Sequence, residues 1–80
     1  MEKNEIVSHV QVIFRDILDN EEIILTNETT ANDIDEWDSL THIQLIVAME
    51  KYFNLRFTST EIRNWKNVGE MCEGINNKIG

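Results

Sequence analysis

The residue with the clearest chemical potential is Ser39, which stands between Asp38 and Leu40 where an acidic segment gives way to a helical pattern. A serine in the first turn of a helix has its hydroxyl near unpaired backbone N–H groups and near the positive end of the helix dipole. That place suits a phosphate ester, whose oxygens accept hydrogen bonds from N–H groups. It also suits plain helix capping, which is by far the commoner role for this tripeptide alone.

A catalytic role for Ser39 is disfavoured by its sequence surroundings. His42 lies three residues further on, and that helical spacing is poor for the serine–histidine hydrogen bond that activates a nucleophile. No Gly-x-Ser-x-Gly turn surrounds the serine. A chain of 80 residues also leaves little material for a substrate pocket. We therefore expect no enzyme, and we expect His42 to be a packed, half-buried side chain.

Neither the carboxylates nor the cysteine form a recognisable metal site. An EF-hand calcium loop counted from Asp33 would need a glycine where Asp38 stands and a glutamate where Gln44 stands. Cys72 has no Cys or His neighbours at zinc spacing and lies in an apolar helical stripe, which favours a buried structural thiol. We expect no metal, and a single cysteine excludes an internal disulfide.

Apolar residues that recur every three to four positions predict a first helix over about residues 5–18. The connection over residues 19–38 has no helical period. Loops of this length inside a compact domain are uncommon and often functional. Ile34 and Trp37 are expected to anchor the far end of this loop in the core.

The second predicted helix spans about residues 39–53, with Asp38 as its N-cap, and carries apolar residues on two sides. The stripe expected to face the core consists of Leu45, Ile46, Met49 and Phe53. The stripe nearly opposite consists of Leu40, Ile43 and Val47, flanked by Gln44 and Glu50. Since a surface helix normally has one apolar face, the second stripe predicts contact with a partner, with burial on both sides as the alternative.

Two further helices complete the pattern. Thr58 and Glu61 have the spacing of a capping box, which predicts a short third helix. A fourth helix is predicted from about Asn67, with a weaker start signal of the same kind. The expected fold class is all-α: a small four-helix bundle of three main helices and one short helix, with a long loop between helices 1 and 2. We expect residues 1–80 to form a single domain.

The acidic composition narrows the classes of partner. Fifteen acidic residues against seven Lys and Arg give a net charge of −8, and residues 16–50 contain no lysine or arginine. Such a field repels nucleic acid and anionic lipid, so we expect neither nucleic-acid binding nor membrane insertion. Basic proteins are the expected partners, with a solvated surface that aids solubility as the alternative. The free cysteine fits a reduced cytoplasmic setting. We also expect the protein to be a monomer.

With these features, the sequence resembles those of the acyl carrier protein family. The resemblance is carried by Asp38-Ser39-Leu40 after an acidic loop, by the helix that follows as far as Phe53, and by the order and length of the remaining helices. It implies that a phosphopantetheinyl transferase attaches 4′-phosphopantetheine from coenzyme A to Ser39, flanked by Asp38 and Leu40. The arm would carry acyl groups as thioesters. The implied docking surface for acyl-loading and acyl-using enzymes with basic patches comprises Leu40, Ile43, Gln44, Val47 and Glu50.

The sequence departs from the fatty-acid-synthesis pattern of that family at two positions. Glu36 stands where a glycine is usual, and the bulky Trp37 precedes the Asp-Ser-Leu motif. The Trp-Asp-Ser-Leu form is similar to carriers of specialised pathways, such as polyketide, hybrid peptide or carbohydrate-acylating systems. An aminoacyl or peptidyl carrier remains an alternative within the family. Outside it, the alternative is an unmodified helical adaptor that binds a basic protein through the second apolar stripe.

Overall fold

Four α-helices and one 3₁₀ turn build the part of the chain, residues 2–79, that a computed structural model describes. The α-helices are α1 (Lys3–Ile17), α2 (Ser39–Phe53), α3 (Ser59–Asn64) and α4 (Val68–Ile79). The 3₁₀ turn, Ala31–Asp33, lies inside the connection between α1 and α2. The all-α prediction is confirmed, and each helix begins within two residues of its predicted start.

The hydrophobic core lies where α1 packs against both α2 and α4. Its largest fully buried side chains are Phe14, Ile6, Leu45, Met49, Met71, Ile75, Val10, Val68 and Cys72. Each comes from a stripe of helical period, and full burial of one large apolar side chain is worth about 1.5–3 kcal/mol. The three main helices are therefore held by their apolar stripes.

The short helix α3 is held by an aromatic contact between the residues that flank it and by an ion pair to α4. The ring of Phe57, before α3, packs edge-on against Trp65, after it, with 4.8 Å between the ring centroids. Lys78 of α4 forms an ion pair with Glu61 of α3 at 3.0 Å. A surface pair of this kind contributes at most about 1 kcal/mol. The partly buried side chains of Phe57, Ile62 and Trp65, which pack against the core, are therefore the stronger attachment.

The long loop between α1 and α2 is fastened to α1. Its side chains Ile23, Leu25, Ile34 and Trp37 are all buried, so the predicted anchoring at its far end is confirmed. Its backbone is also paired: Arg15 Nε donates to the Ile23 carbonyl at 2.7 Å, and the Leu25 N–H donates to the Gln11 side chain at 2.9 Å. Polar side chains of α1 therefore pair with backbone groups of a loop that forms few backbone hydrogen bonds within itself.

The same loop supplies carbonyl groups to the start of α4. Val68 N–H donates to the Thr29 carbonyl and Gly69 N–H to the Asn27 carbonyl, both at 2.9 Å. The first N–H groups of a helix have no partner within it, so these two bonds act as a cap. A Cβ atom on Gly69 would lie 2.8 Å from the Asn27 carbonyl oxygen, closer than contact allows. Only glycine permits the loop to approach α4 this closely.

The Gly69→Ala variant should therefore be destabilised. In an ordinary helix interior alanine is more stable than glycine by about 1 kcal/mol, which sets the opposite expectation. Here the new methyl group meets backbone, and we expect a loss of about 1–3 kcal/mol, as for an overpacked core. Urea denaturation measures it. Gly74→Ala is the matched control, because its Cβ would meet the Trp65 side chain at 3.2 Å and not backbone. Equal stability of both variants would contradict the tight loop–α4 contact.

Candidate functional site

Ser39 is the first residue of α2, and its side chain is exposed. Asp38 forms the N-cap: its Oδ1 accepts hydrogen bonds from the Leu40 N–H at 3.0 Å and the Thr41 N–H at 2.9 Å. Thr41 Oγ1 in turn accepts from the Asp38 N–H at 2.8 Å. These bonds, above all the one from the Thr41 N–H, hold the pKa of the exposed Asp38 carboxyl below its usual value. The predicted cap is confirmed, and it is the aspartate that caps.

This cap corrects one expectation about the serine. The sequence suggested that unpaired N–H groups would lie free beside the Ser39 hydroxyl, but those of Leu40 and Thr41 already donate to Asp38. The physical reason is that Asp38 is the N-cap, the position from which a side chain can accept hydrogen bonds from the second and third N–H groups of the helix. The Ser39 hydroxyl is therefore not needed for capping. It remains exposed at the positive end of the helix, where solvent and a modifying group can reach it.

An open pocket of about 480 Å³ adjoins Ser39. Its walls come from the loop before α2, the first turns of α2 and the segment between α3 and α4. Side chains that line it include those of Trp37, His42, Trp65, Lys66 and Met71, together with Ser39 itself. Apolar rings beside a few polar groups are typical of a ligand site. A flexible chain attached to the hydroxyl would have this groove within its reach, so the residues present fit such a group.

Trp37 and His42 form a hydrogen-bonded pair at one wall of the pocket. Trp37 is buried and packs edge-on against Phe14, with 4.9 Å between the ring centroids. Its Nε1–H donates to His42 Nδ1 at 3.0 Å, and the two rings lie nearly parallel. Partial burial lowers the pKa of His42 below its usual value. His42 is half-buried as predicted. Its hydrogen bond to Trp37 was not predicted, because the two residues lie on opposite sides of the N-cap Asp38 and their spacing of five residues matches no known pattern.

The two apolar stripes of α2 separate as the sequence indicates. Leu45 and Met49 are 0% exposed, Ile46 is buried, and Phe53 packs against the core at its edge. On the other side the exposed fractions are 66% for Leu40, 61% for Ile43 and 44% for Val47. Complete burial of α2 is thereby excluded.

The two polar residues that flank this exposed stripe differ from each other. Gln44 is exposed. Glu50 is half-buried, and its Oε2 accepts a hydrogen bond from the Phe57 N–H at 2.9 Å. Glu50 therefore also holds the chain that leaves α2, in addition to any role at a docking surface.

In the part of the chain that the structure describes, the cysteine and the carboxylates outside the pocket beside Ser39 show no sign of a second site. Cys72 is 0% exposed, and burial raises the pKa of its thiol to about 11. Within residues 2–79, no group of three or more His, Cys, Asp or Glu side chains is placed to hold a metal ion. Over the same residues, none of the helices has the length and apolarity required to cross a membrane.

Comparisons with known proteins agree with this geometry. The family model described as "Phosphopantetheine attachment site" matches residues 8–75. An acyl carrier protein of Thermosynechococcus vestitus is 31% identical over 80 residues, which cover 99% of this chain and 98% of that protein. The solution NMR structure of holo acyl carrier protein from Geobacter metallireducens matches with a TM-score of 0.87 and 41% identity, over 91% of this chain and 84% of that chain. The chain therefore belongs to the acyl carrier protein family, in which phosphopantetheine is covalently attached.

Proposed function

We propose that this chain carries acyl intermediates as thioesters on a 4′-phosphopantetheine arm attached to Ser39. The observation that carries the proposal is the position of that serine. Its hydroxyl is exposed at the first residue of α2, beside an open pocket, and Asp38 leaves it unused by the helix cap. The hydroxyl is therefore accessible to a modifying enzyme and free of a structural role.

The chain's own residues would present the arm and leave the chemistry to other enzymes. Ser39 supplies the oxygen of the phosphodiester, and the bound cofactor supplies the thiol on which an acyl group travels. Asp38 keeps the first turn of α2 closed through its bonds to the backbone. Trp37, packed on Phe14, fixes the loop on the other side of the serine. The attachment point is thus held on both sides by contacts within the domain, although the attached arm would be flexible.

The exposed stripe of α2 supports a docking role. Leu40, Ile43 and Val47 offer an exposed apolar strip that begins at the residue after the attachment point and runs about two helical turns along α2. Residues 16–50 add acidic side chains and no lysine or arginine. This combination suits a phosphopantetheinyl transferase and acyl-loading and acyl-using enzymes with basic patches. Small interfaces of this kind are weak and transient. A carrier that visits several enzymes must be able to dissociate from each of them.

Transfer to and from these partners should be sensitive to salt. Charge complementarity acts mainly on the rate of encounter, and the distance over which it acts shrinks from about 10 Å at 0.1 M salt to about 3 Å at 1 M. We expect the kcat/KM of phosphopantetheine loading to fall as sodium chloride rises, while the kcat at saturating carrier changes little. A kcat/KM that is independent of salt would contradict a role for the acidic field in docking.

The cargo we propose is an acyl group of a specialised pathway, such as polyketide, hybrid peptide or carbohydrate acylation. Two departures from the fatty-acid-synthesis pattern support this assignment. Trp37 is buried and bonded to His42, and Glu36 accepts a hydrogen bond from Asn20 at 3.0 Å, so both side chains belong to the loop's structure. An aminoacyl or peptidyl cargo is the alternative, which the net charge of −8 disfavours. The free Cys72 thiol suits a cytoplasmic setting.

The test is intact mass spectrometry followed by peptide mapping. Purified protein that starts without the arm is incubated with coenzyme A and a broad-specificity phosphopantetheinyl transferase. We expect a gain of one phosphopantetheine, located on the proteolytic peptide that contains Ser39. No gain, or a gain on another residue, would overturn the proposal. The exposed stripe of α2 would then be the surface of an unmodified adaptor.

A further inference from the structure

We propose that His42 is a positioning residue for the attached arm. In this proposal, Trp37 holds His42 as the tautomer protonated at Nε2, and that N–H donates a hydrogen bond to a non-bridging oxygen of the phosphodiester on Ser39. The inference rests on the proposed attachment at Ser39 and adds to it a residue that grips the phosphate.

The tautomer follows from the hydrogen bond to Trp37. An indole N–H can only donate, so the His42 Nδ1 that lies 3.0 Å from it must be the acceptor. In a neutral imidazole the remaining proton then lies on Nε2. Burial favours this neutral form by lowering the pKa of His42. At neutral pH the ring therefore offers one N–H donor, and its direction is set by a buried tryptophan.

The Nε2–H of His42 is available to a ligand. Every buried side-chain nitrogen or oxygen among residues 2–79 has a hydrogen-bond partner. His42 is bonded through Nδ1 to Trp37, so its Nε2, which has no partner among these residues, is reached by solvent. Both His42 and Ser39 line the same open pocket. The donor therefore belongs to a side chain that lines space the arm can enter.

The helical spacing makes His42 a neighbour of Ser39 on the surface of α2. Helical side chains lean toward the N-terminus, so the His42 ring lies over the turn that begins at Ser39. Residues three apart in a helix have Cβ atoms about 5–6 Å from each other, so their side chains are neighbours on the helix surface. A phosphodiester on Ser39 Oγ would extend further from the backbone than the hydroxyl does. At this spacing its oxygens would come within reach of the His42 ring.

Two charged side chains of opposite sign also line the pocket, and the sign of each charge fixes the direction in which it would act on His42. Asp38, from the loop, favours protonation of the ring, and Lys66, from the segment between α3 and α4, disfavours it. The Asp38 carboxyl has a lowered pKa and remains ionised above pH 5. A phosphodiester has no proton to exchange in the same range. Any titration that the phosphorus senses between pH 5 and 8 would therefore come from a neighbouring histidine.

The experiment is a ³¹P NMR titration of the protein after loading is confirmed by mass. We expect the phosphodiester resonance of the wild type to move between pH 5 and 8, with a midpoint equal to that of the His42 ring protons. The His42 midpoint should also rise on loading, because the phosphodiester is an anion. In His42→Leu the ³¹P titration should vanish. In Trp37→Phe, which keeps an aromatic ring but removes the donor, it should weaken.

The second histidine provides the matched control. His9 is bonded to Tyr52, with 2.6 Å between its Nδ1 and the tyrosine oxygen, and it does not line the pocket beside Ser39. His9→Leu should leave the ³¹P titration unchanged. A ³¹P resonance that ignores pH in the wild type, or that moves equally in folded His42→Leu, would overturn the inference. Failure of the protein to accept the arm at Ser39 would instead overturn the proposed function, so the two failures are distinguishable.

Discussion

The Ser39→Ala variant is expected to gain no phosphopantetheine under conditions in which the wild-type protein is fully loaded. Alanine lacks the oxygen that would form the phosphodiester, so the loss should be complete. The fold should persist, because the cap of α2 is made by Asp38 and not by the serine. Loss of a capping residue typically costs about 1 kcal/mol, and we expect less than that here. Intact mass and a urea denaturation midpoint measure the two effects together.

Ser59 offers a matched control for this variant. It is the first residue of α3, it is exposed, and Thr58 caps its helix by accepting a hydrogen bond from the Glu61 N–H. Ser59 is therefore, like Ser39, an exposed first helical residue that follows a capping side chain, but it does not line the pocket beside Ser39. Ser59→Ala should load as the wild type does. Continued loading of Ser39→Ala, or loss of loading in Ser59→Ala, would show that the arm is attached elsewhere.

The Met49→Glu variant is expected to be largely unfolded. Met49 is 0% exposed, so the new carboxylate would lie in the core without a partner. Truncation of a buried methionine alone costs about 2–5 kcal/mol, and burial of an unpaired charge adds to this. A small domain has a total stability of only about 5–15 kcal/mol, and 80 residues place this chain toward the lower end. Far-UV circular dichroism with a thermal melt measures the loss.

Val47→Glu provides the contrast on the same helix, two residues earlier. The Val47 side chain is 44% exposed, and a surface substitution usually changes stability by no more than about 0.5 kcal/mol. We therefore expect a wild-type melt, with slower loading by the transferase because a charge now interrupts the exposed stripe. If both variants melt alike, the assignment of two faces to α2 is wrong. If Val47→Glu loads at the wild-type rate, the stripe is not the docking surface of that enzyme.

The helices and their inner faces could be predicted because their signals are local. The capping box of Thr58 and Glu61 and the N-cap Asp38 mark helix starts within a few residues of sequence, and both are present in the structure. The stripe containing Met49 could be recognised because a period of 3.6 residues fixes which side chains share one side of the helix. These features depend on neighbours along the chain, and the sequence displays those directly.

The contacts of the long loop could not be predicted, because they join residues far apart in the chain. Nothing near Gly69 indicates that the Asn27 carbonyl lies where a methyl group would be. The pocket beside Ser39 likewise needs Trp65 from a segment more than twenty residues away. The serine itself was found from its motif and its position at a helix start. The pocket that adjoins it depends on how segments that are distant in the sequence pack together in the bundle.

The burial of Cys72 has a consequence for the integrity of the cargo. A thioester is readily transferred to another thiolate, and a reactive cysteine near the arm would divert acyl groups onto the polypeptide. Here the side chain is 0% exposed and its pKa is about 11, so almost no thiolate exists at neutral pH and none of it is accessible. The single sulfhydryl of the polypeptide is thus chemically silent while the domain is folded. A thiol-specific reagent applied to the native protein would count prosthetic groups alone, and denaturation would add one more equivalent.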